Sequence, residues 1–379
     1  MLNSTSVIHK APGVQLAALG ILLLLVMILA TGTGALYISS LQVVAILLQK
    51  TGIHLPVDCP EHLTAVLWTI RLPRVLLAVL IGGGLGIAGA SLQGLFRNPL
   101  ADPALIGVSF GASFTAALLI VLETKLYHAL QGMQVNSILQ SYARNLLTFL
   151  GAILTVLIVF RLSVRGGRTI VPVMLLSGIA INALCNAFTG LMTYLADNEQ
   201  LRNITFWTLG SLGGASWQTV WGVLPFVLIP ALMLPRLAPA LNVFALGERE
   251  AMHSGVKIDK LKTQLIIYAT MAVASGVAVA GVIGFIGLVV PHIVRQITGP
   301  DHRVLIPAAA LAGATLLTLA DLISRTIMAP AELPVGIITA IAGAPVFIWL
   351  ILKEKRTRFY EFLFLFSFLV YISRDEEEV

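Results

Sequence analysis

Few residues in this chain have the type and spacing for chemistry. "GLGIAG", Gly84 to Gly89, matches the G-x-G-x-x-G phosphate-binding pattern. That pattern works only where a strand enters it and a helix opens from it. Here it lies inside a long apolar run. Gly82, Gly86, Ala90 and Gly94 recur at four-residue spacing in the same run, so close helix packing in lipid is the better reading. The seven histidines are scattered and none falls in an H-E-x-x-H pair. His292 and His302 read as structural rather than metal-ligating. No G-x-x-x-x-G-K-[ST] occurs, so the chain has no P-loop for ATP. Cys59 and Cys185 are 126 positions apart, one in a polar loop and one in an apolar segment, which argues against a disulfide.

Three charged features remain. Arg71 and Arg74 in "RLPR", with Arg325, carry planar guanidiniums suited to carboxylates. Snorkelling to headgroups, or for Arg325 an i,i+4 pair with Asp321, would explain them as well. "RNPLADP", Arg97 to Pro103, has two prolines that each disfavour helix at the preceding residue. A tight turn with Asp102 as a helix cap and a constriction at the mouth of a path both fit it. The third is "LGEREAMHSGVKIDKLK", Leu246 to Lys262, in which 7 of 17 residues are charged. It contains helix formers, and Gly255 is placed to stop a helix. Too short and charged to enter lipid, it reads as a surface helix: an ordinary solvated loop, or a handle for a soluble partner.

The elements that carry these features are set by composition. Of the 379 residues 58% are apolar and 11% charged, far from the roughly 25% charged of a soluble domain. The pattern predicts an all-α polytopic membrane protein with about ten transmembrane helices. They fall near 14–36, 74–94, 103–122, 145–162, 170–195, 217–236, 262–279, 281–297, 304–324 and 335–352. The first apolar run is too long for a secretory signal and reads as a retained span. With the N-terminus inside, 16 lysines and arginines lie on the cytoplasmic side and 7 outside, Arg374 in the tail completing the 24. The net charge of +6 therefore reports orientation, and nucleic acid is excluded as a partner. The charged island falls inside; Arg71, Arg74 and Arg325 fall outside.

Four stretches together resemble the iron-siderophore, haem and vitamin B12 uptake permeases: "RLPRVLLAVLIGGGLGIAGASLQGLFRNPLADPALIGVSFGAS", "LGEREAMHSGV", "GFIGLVVPHIVRQITGPDHRVLIPAAALAGA" and "AELPVGIITAIAGAPVFIWL". The resemblance implies the permease fold of type II ABC importers and one transmembrane domain over 1–358. It implies a non-catalytic subunit in a bacterial inner membrane, working as a homodimer with two cytoplasmic ATPases and a periplasmic binding protein. ATP and magnesium would sit on the ATPase, and this chain would hold no cofactor. Leu246, Gly247, Glu248, Arg249, Glu250, Ala251 and Gly255 match the coupling helix seated in the ATPase. Arg71, Arg74 and Arg325 match the arginines that meet acidic residues of the binding protein. Asn98, Pro99 and Leu100 match the cytoplasmic gate. "YLADNEQLRNITFWTLGSLGGASW", Tyr194 to Trp217, resembles the haem branch, which makes haem the expected cargo; ferric siderophore or cobalamin would suit the same class. An ion-driven secondary transporter would need buried ionisable groups, for which Asp321 is the main candidate. Residues 359–379 depart from the family. Their apolar run, Phe359 to Ile372, is short of a span; an interfacial segment and a non-native extension both fit, and no role is assigned.

Overall fold

The computed structural model describes residues 12–34, 36–50, 52–53, 55–129, 137–329, 331–350 and 352. The tail 359–379 lies outside them. The elements in order are α1 (Pro12–Gly32), α2 (Ser40–Gln49), α3 (Glu61–Val66), a π-turn (Leu67–Arg71), α4 (Leu72–Phe96), a 3-10 turn (Pro103–Ile106), α5 (Val108–Ala129) and α6 (Ser137–Ser163). A two-residue hairpin follows, β1 (Val164–Arg165) and β2 (Arg168–Thr169). Then come α7 (Val171–Leu195), α8 (Asn198–Leu209), α9 (Trp217–Leu246), α10 (Glu248–His253), α11 (Ile258–Ala280), α12 (Ile286–Thr298), α13 (His302–Thr326) and α14 (Val335–Leu350). The chain divides into compact units of 1–339 and 340–379. In the second, the described residues continue α14 to Leu350.

Helices occupy all ten positions expected from hydropathy, and among the described residues seven are long and apolar enough to cross a membrane. The differences are local. Residues 281–285 are not helical, because Gly281 and Phe285 both take left-handed backbone (φ +72° and +68°) and break α11 from α12. The sixth expected span stopped at Arg236, yet α9 runs on to Leu246. Arg236 is exposed and donates to the Leu232 carbonyl at 2.9 Å, one turn back, so its charge does not end the helix. Pro225, Pro230, Pro235 and Pro239 all lie inside α9. Hydropathy did not reveal α2 and α8, which open on capping boxes, Ser39 with Gln42 and Asp197 with Gln200.

The core of the first unit is built around α4, of which nearly every residue is buried. A helix apolar all round belongs inside a bundle, and α4 packs against α9, α11, α12 and α13. A Cβ at Gly82 or Gly86 would collide with the carbonyl oxygens of Gly313 and Ala309 in α13. Small residues let the two backbones touch, which is the packing reading of the glycine motif. Cys59 and Cys185 are both free thiols.

Candidate functional site

At one end of the bundle, the π-turn and α4 carry Arg71 and Arg74 against α13, which carries Asp321 and Arg325. Arg74 meets Asp321 through Nε and Nη2 at 2.9 Å each, and Glu332 through Nη1 at 2.7 Å. Arg325 approaches the other Asp321 oxygen at 3.6 Å, the i,i+4 pair, and donates to the Ala30 carbonyl. Arg71 donates to the carbonyls of Thr31 (2.8 Å), Gly32 (2.7 Å) and Leu36. The Thr31 and Gly32 carbonyls end α1, where the helix dipole is negative and oxygens lack helical partners, and Leu36 follows in the loop beyond it. Arg71 and Arg74 are 4% and 8% exposed, and the Arg325 side chain 8%. The sequence placed these guanidiniums outward, toward another protein's carboxylates. In the structure they turn inward: Arg74 and Arg325 share Asp321, Arg74 also holds Glu332, and Arg71 is engaged by backbone carbonyls. The contribution of Glu332 and of the α1 carbonyls was not legible, since each comes from a distant segment.

Next to this cluster Trp68, Trp217 and Trp221 form a row with ring centroids 6.4 Å apart, and Lys50 lies 5.2 Å over Trp68. Aromatic rings of this kind mark a membrane–water boundary. A cleft of about 470 Å³ opens nearby, lined by Tyr142, Arg144, Asn145, Trp207, Gln218 and Thr219 among others.

At the opposite end, α4 stops at Arg97 (φ +50°) and the chain turns through Asn98, Pro99 and Leu100. The Asn98 side chain accepts from the Leu100 N–H at 2.9 Å, and Asp102 accepts from the Ala104 N–H at 2.7 Å. Asp102 thus caps the 3-10 turn, as the tight-turn reading expected. Burial pushes its carboxyl above the usual range, against the pull of that N–H.

The charged island is a helix. Gly247 opens α10, and Gly255 (φ +81°) lies just beyond its Ser254 cap. Ala251 is buried and anchors it, while Leu246 (77% exposed) and Met252 (53%) stand in the open beside Arg249 and Glu250. Glu248 pairs with Lys262 at 2.9 Å. Lys262 is buried and also donates to the Thr169 carbonyl at 2.8 Å. The buried Phe244 ring lies between two cations, Arg97 at 5.4 Å and Lys262 at 5.8 Å. The ring, on α9, thus lies beside Arg97, which precedes the turn, and beside Lys262, which pairs with Glu248 of α10.

The FecCD transport family model matches residues 22–353. The hemin transport system permease protein of Yersinia pestis is 43% identical over 342 residues, 90% of this chain and 96% of that protein. The vitamin B12 import system permease protein of Salmonella typhi is 42% identical over 290 residues, 76% of this chain and 84% of its own. Among solved structures, an inward-facing metal-chelate-type ABC transporter superposes with a TM-score of 0.77 at 31% identity, covering 90% of this chain and all of that one.

Proposed function

The chain belongs to the FecCD transport family, and from that premise we propose that it is the membrane permease of an ATP-driven importer carrying haem or a related iron chelate inward. The observation that carries this is α10: a short charged helix set between two spans, anchored by Ala251 and Lys262, with Leu246, Arg249, Glu250 and Met252 exposed. In this reading a cytoplasmic ATPase grips that face, and two permeases work with two ATPases in a bacterial inner membrane. Closure of the ATPases moves α10, and α9, which leads into it, carries Phe244 against Arg97, next to the Asn98–Leu100 turn that gates the path. The outer end receives a periplasmic binding protein. Arg71, Arg74 and Arg325 supply its positive field, since three cations stand against two acids there. The lack of a P-loop fits a subunit that leaves nucleotide chemistry to its partner.

Asp321 weighs against a secondary transporter. It is held between Arg74 and Arg325, a poor setting for a carboxylate that must take up and release an ion on each cycle.

Haem is preferred as cargo for two reasons: the Tyr194–Trp217 stretch, and the hemin permease's coverage of 90% of the chain against 76% for the vitamin B12 permease. The test is uptake into proteoliposomes holding the permease and its ATPase, with the binding protein outside and ATP inside. Ferric siderophore and cobalamin run as competitors. Haem accumulation that requires all three proteins and ATP is expected. ATP-driven uptake of cobalamin or siderophore without haem would replace the cargo and keep the importer. Uptake that survives without ATP would overturn the class.

A further inference from the structure

The hairpin between α6 and α7 contains a conflict that nothing so far accounts for. Gly166 and Gly167 both take left-handed backbone (φ +58° and +77°), the condition for the tightest two-residue hairpin turn. The register then sets Arg165 directly across from Arg168. Like charges facing each other across a ladder destabilise it. Both arginines are exposed, and neither has an ion-pair partner among the described residues. A ladder of two residues per strand also has little stability of its own.

The hairpin is held from its base. The Thr169 carbonyl accepts from Lys262, the Thr169 N–H donates to Asp259 at 3.2 Å, and the Ile170 N–H donates to the Ser163 carbonyl at 3.0 Å. Lys262 is also the residue that pairs with Glu248 at the start of α10. One buried ammonium therefore fastens hairpin and α10 together, and the two project as a unit with a guanidinium pair at one tip.

Resting on the reading of α10 as the ATPase contact, we infer that the Arg165–Arg168 hairpin is a second docking element that takes an acidic patch on the same ATPase. A paired anion removes the repulsion that the register creates, so the strained arrangement is complete only with a partner in place. Anionic lipid headgroups offer the same charge. Reaching headgroups needs only a long side chain at a helix end, and Arg161, exposed in the last turn of α6, already supplies that. A rigid turn tied to α10 fits a protein surface better.

The experiment measures binding of the purified ATPase to the full-length permease in nanodiscs of zwitterionic lipid, then of anionic lipid. Arg165→Glu with Arg168→Glu is expected to weaken binding about tenfold or more in zwitterionic discs, with a shallower salt dependence. Arg165→Gln with Arg168→Gln, which relieves the repulsion without adding charge, should weaken it less and leave the melting temperature at or above wild type. Unchanged affinity in zwitterionic discs overturns the inference, and so does a loss confined to anionic discs, which would assign the hairpin to lipid. Wild-type permease that fails to bind the ATPase at all would overturn the importer reading itself, a separate outcome from either.

Discussion

The Lys262 ammonium lies 2.9 Å from the Glu248 carboxylate, joining the first residue of α10 to the first turns of α11. Lys262 is 3% exposed, while the Glu248 side chain is 40% exposed. The ammonium is therefore the fixed partner and the carboxylate the movable one.

Replacing Lys262 with Met keeps the stem and removes the charge. Glu248 can turn to water, but the Thr169 carbonyl loses its donor, a loss of about 1.5–3 kcal/mol for a hydrogen bond to a charged group. The expected result is more ATP hydrolysed per molecule imported, with Lys262→Arg restoring the ratio. An unchanged ratio in a folded Lys262→Met protein would show that this ammonium is structural only.

Glu250→Arg places a cation on the open face of α10. Uptake should fall while the ATPase continues to turn over. Normal uptake by this variant would count against α10 as the coupling element.

Arg74 is bonded to two carboxylates on other segments. Arg74→Ala leaves Asp321 buried beside Arg325 alone, and breaking a buried pair costs about 3–5 kcal/mol. Thermal unfolding in detergent should register this as a clear drop, whereas Arg165→Ala should barely move it. Arg71→Glu would set a carboxylate against the carbonyl ends of α1 and should both destabilise the fold and weaken binding-protein docking. Unaltered docking by a folded Arg71→Glu variant would remove Arg71 from that role.

Gly86→Leu must push α4 from the Ala309 carbonyl. Overpacking of this kind costs about 1–3 kcal/mol or more. Loss of folded, monodisperse protein on expression is expected; a variant as stable as wild type would show that α13 can yield.

Asp301 caps α13, accepting from the Arg303 N–H at 2.9 Å and from Asn242 Nδ2 at 2.6 Å. The Arg303 N–H first, then Asn242 and the Arg303 charge, hold its carboxyl below the usual value. A lowered folded value means stability that is present above the unfolded range and lost as pH falls through the folded value. Asp301→Ala should cost about 1 kcal/mol at neutral pH. The gap to wild type should narrow in acid below pH ~4. A gap that stays constant down to strong acid would assign the cap to the Asn242 contact.

Much of this arrangement was legible in the sequence because lipid imposes a simple rule. Apolar length places the spans, and small residues at four-residue spacing mark Gly82 and Gly86 as a close-packing face, though not that α13 is what fills it. The charged island stood out because it broke the rule. Legibility ended where a residue's role depends on what crosses it in space. Arg71 reads as an outward fork until the end of α1 is laid over it, and Glu332 joins Arg74 from 258 positions away. The Arg165–Arg168 opposition needs the register, which two glycines set and charge alone would not suggest.

The four prolines of α9 have a mechanical consequence. Each proline removes the ladder bond to the carbonyl four residues earlier, so the oxygens of Trp221, Phe226, Ala231 and Pro235 lose their helical donors. Spaced five, five and four apart, the gaps fall on different faces of the helix. A rod weakened on every side bends like a universal joint yet still bears load end to end, because its turns remain stacked. Since α9 leads through Gly247 straight into α10, thrust applied at α10 should travel its length as compression, and tilt should be absorbed at the joints before it reaches the tryptophan row.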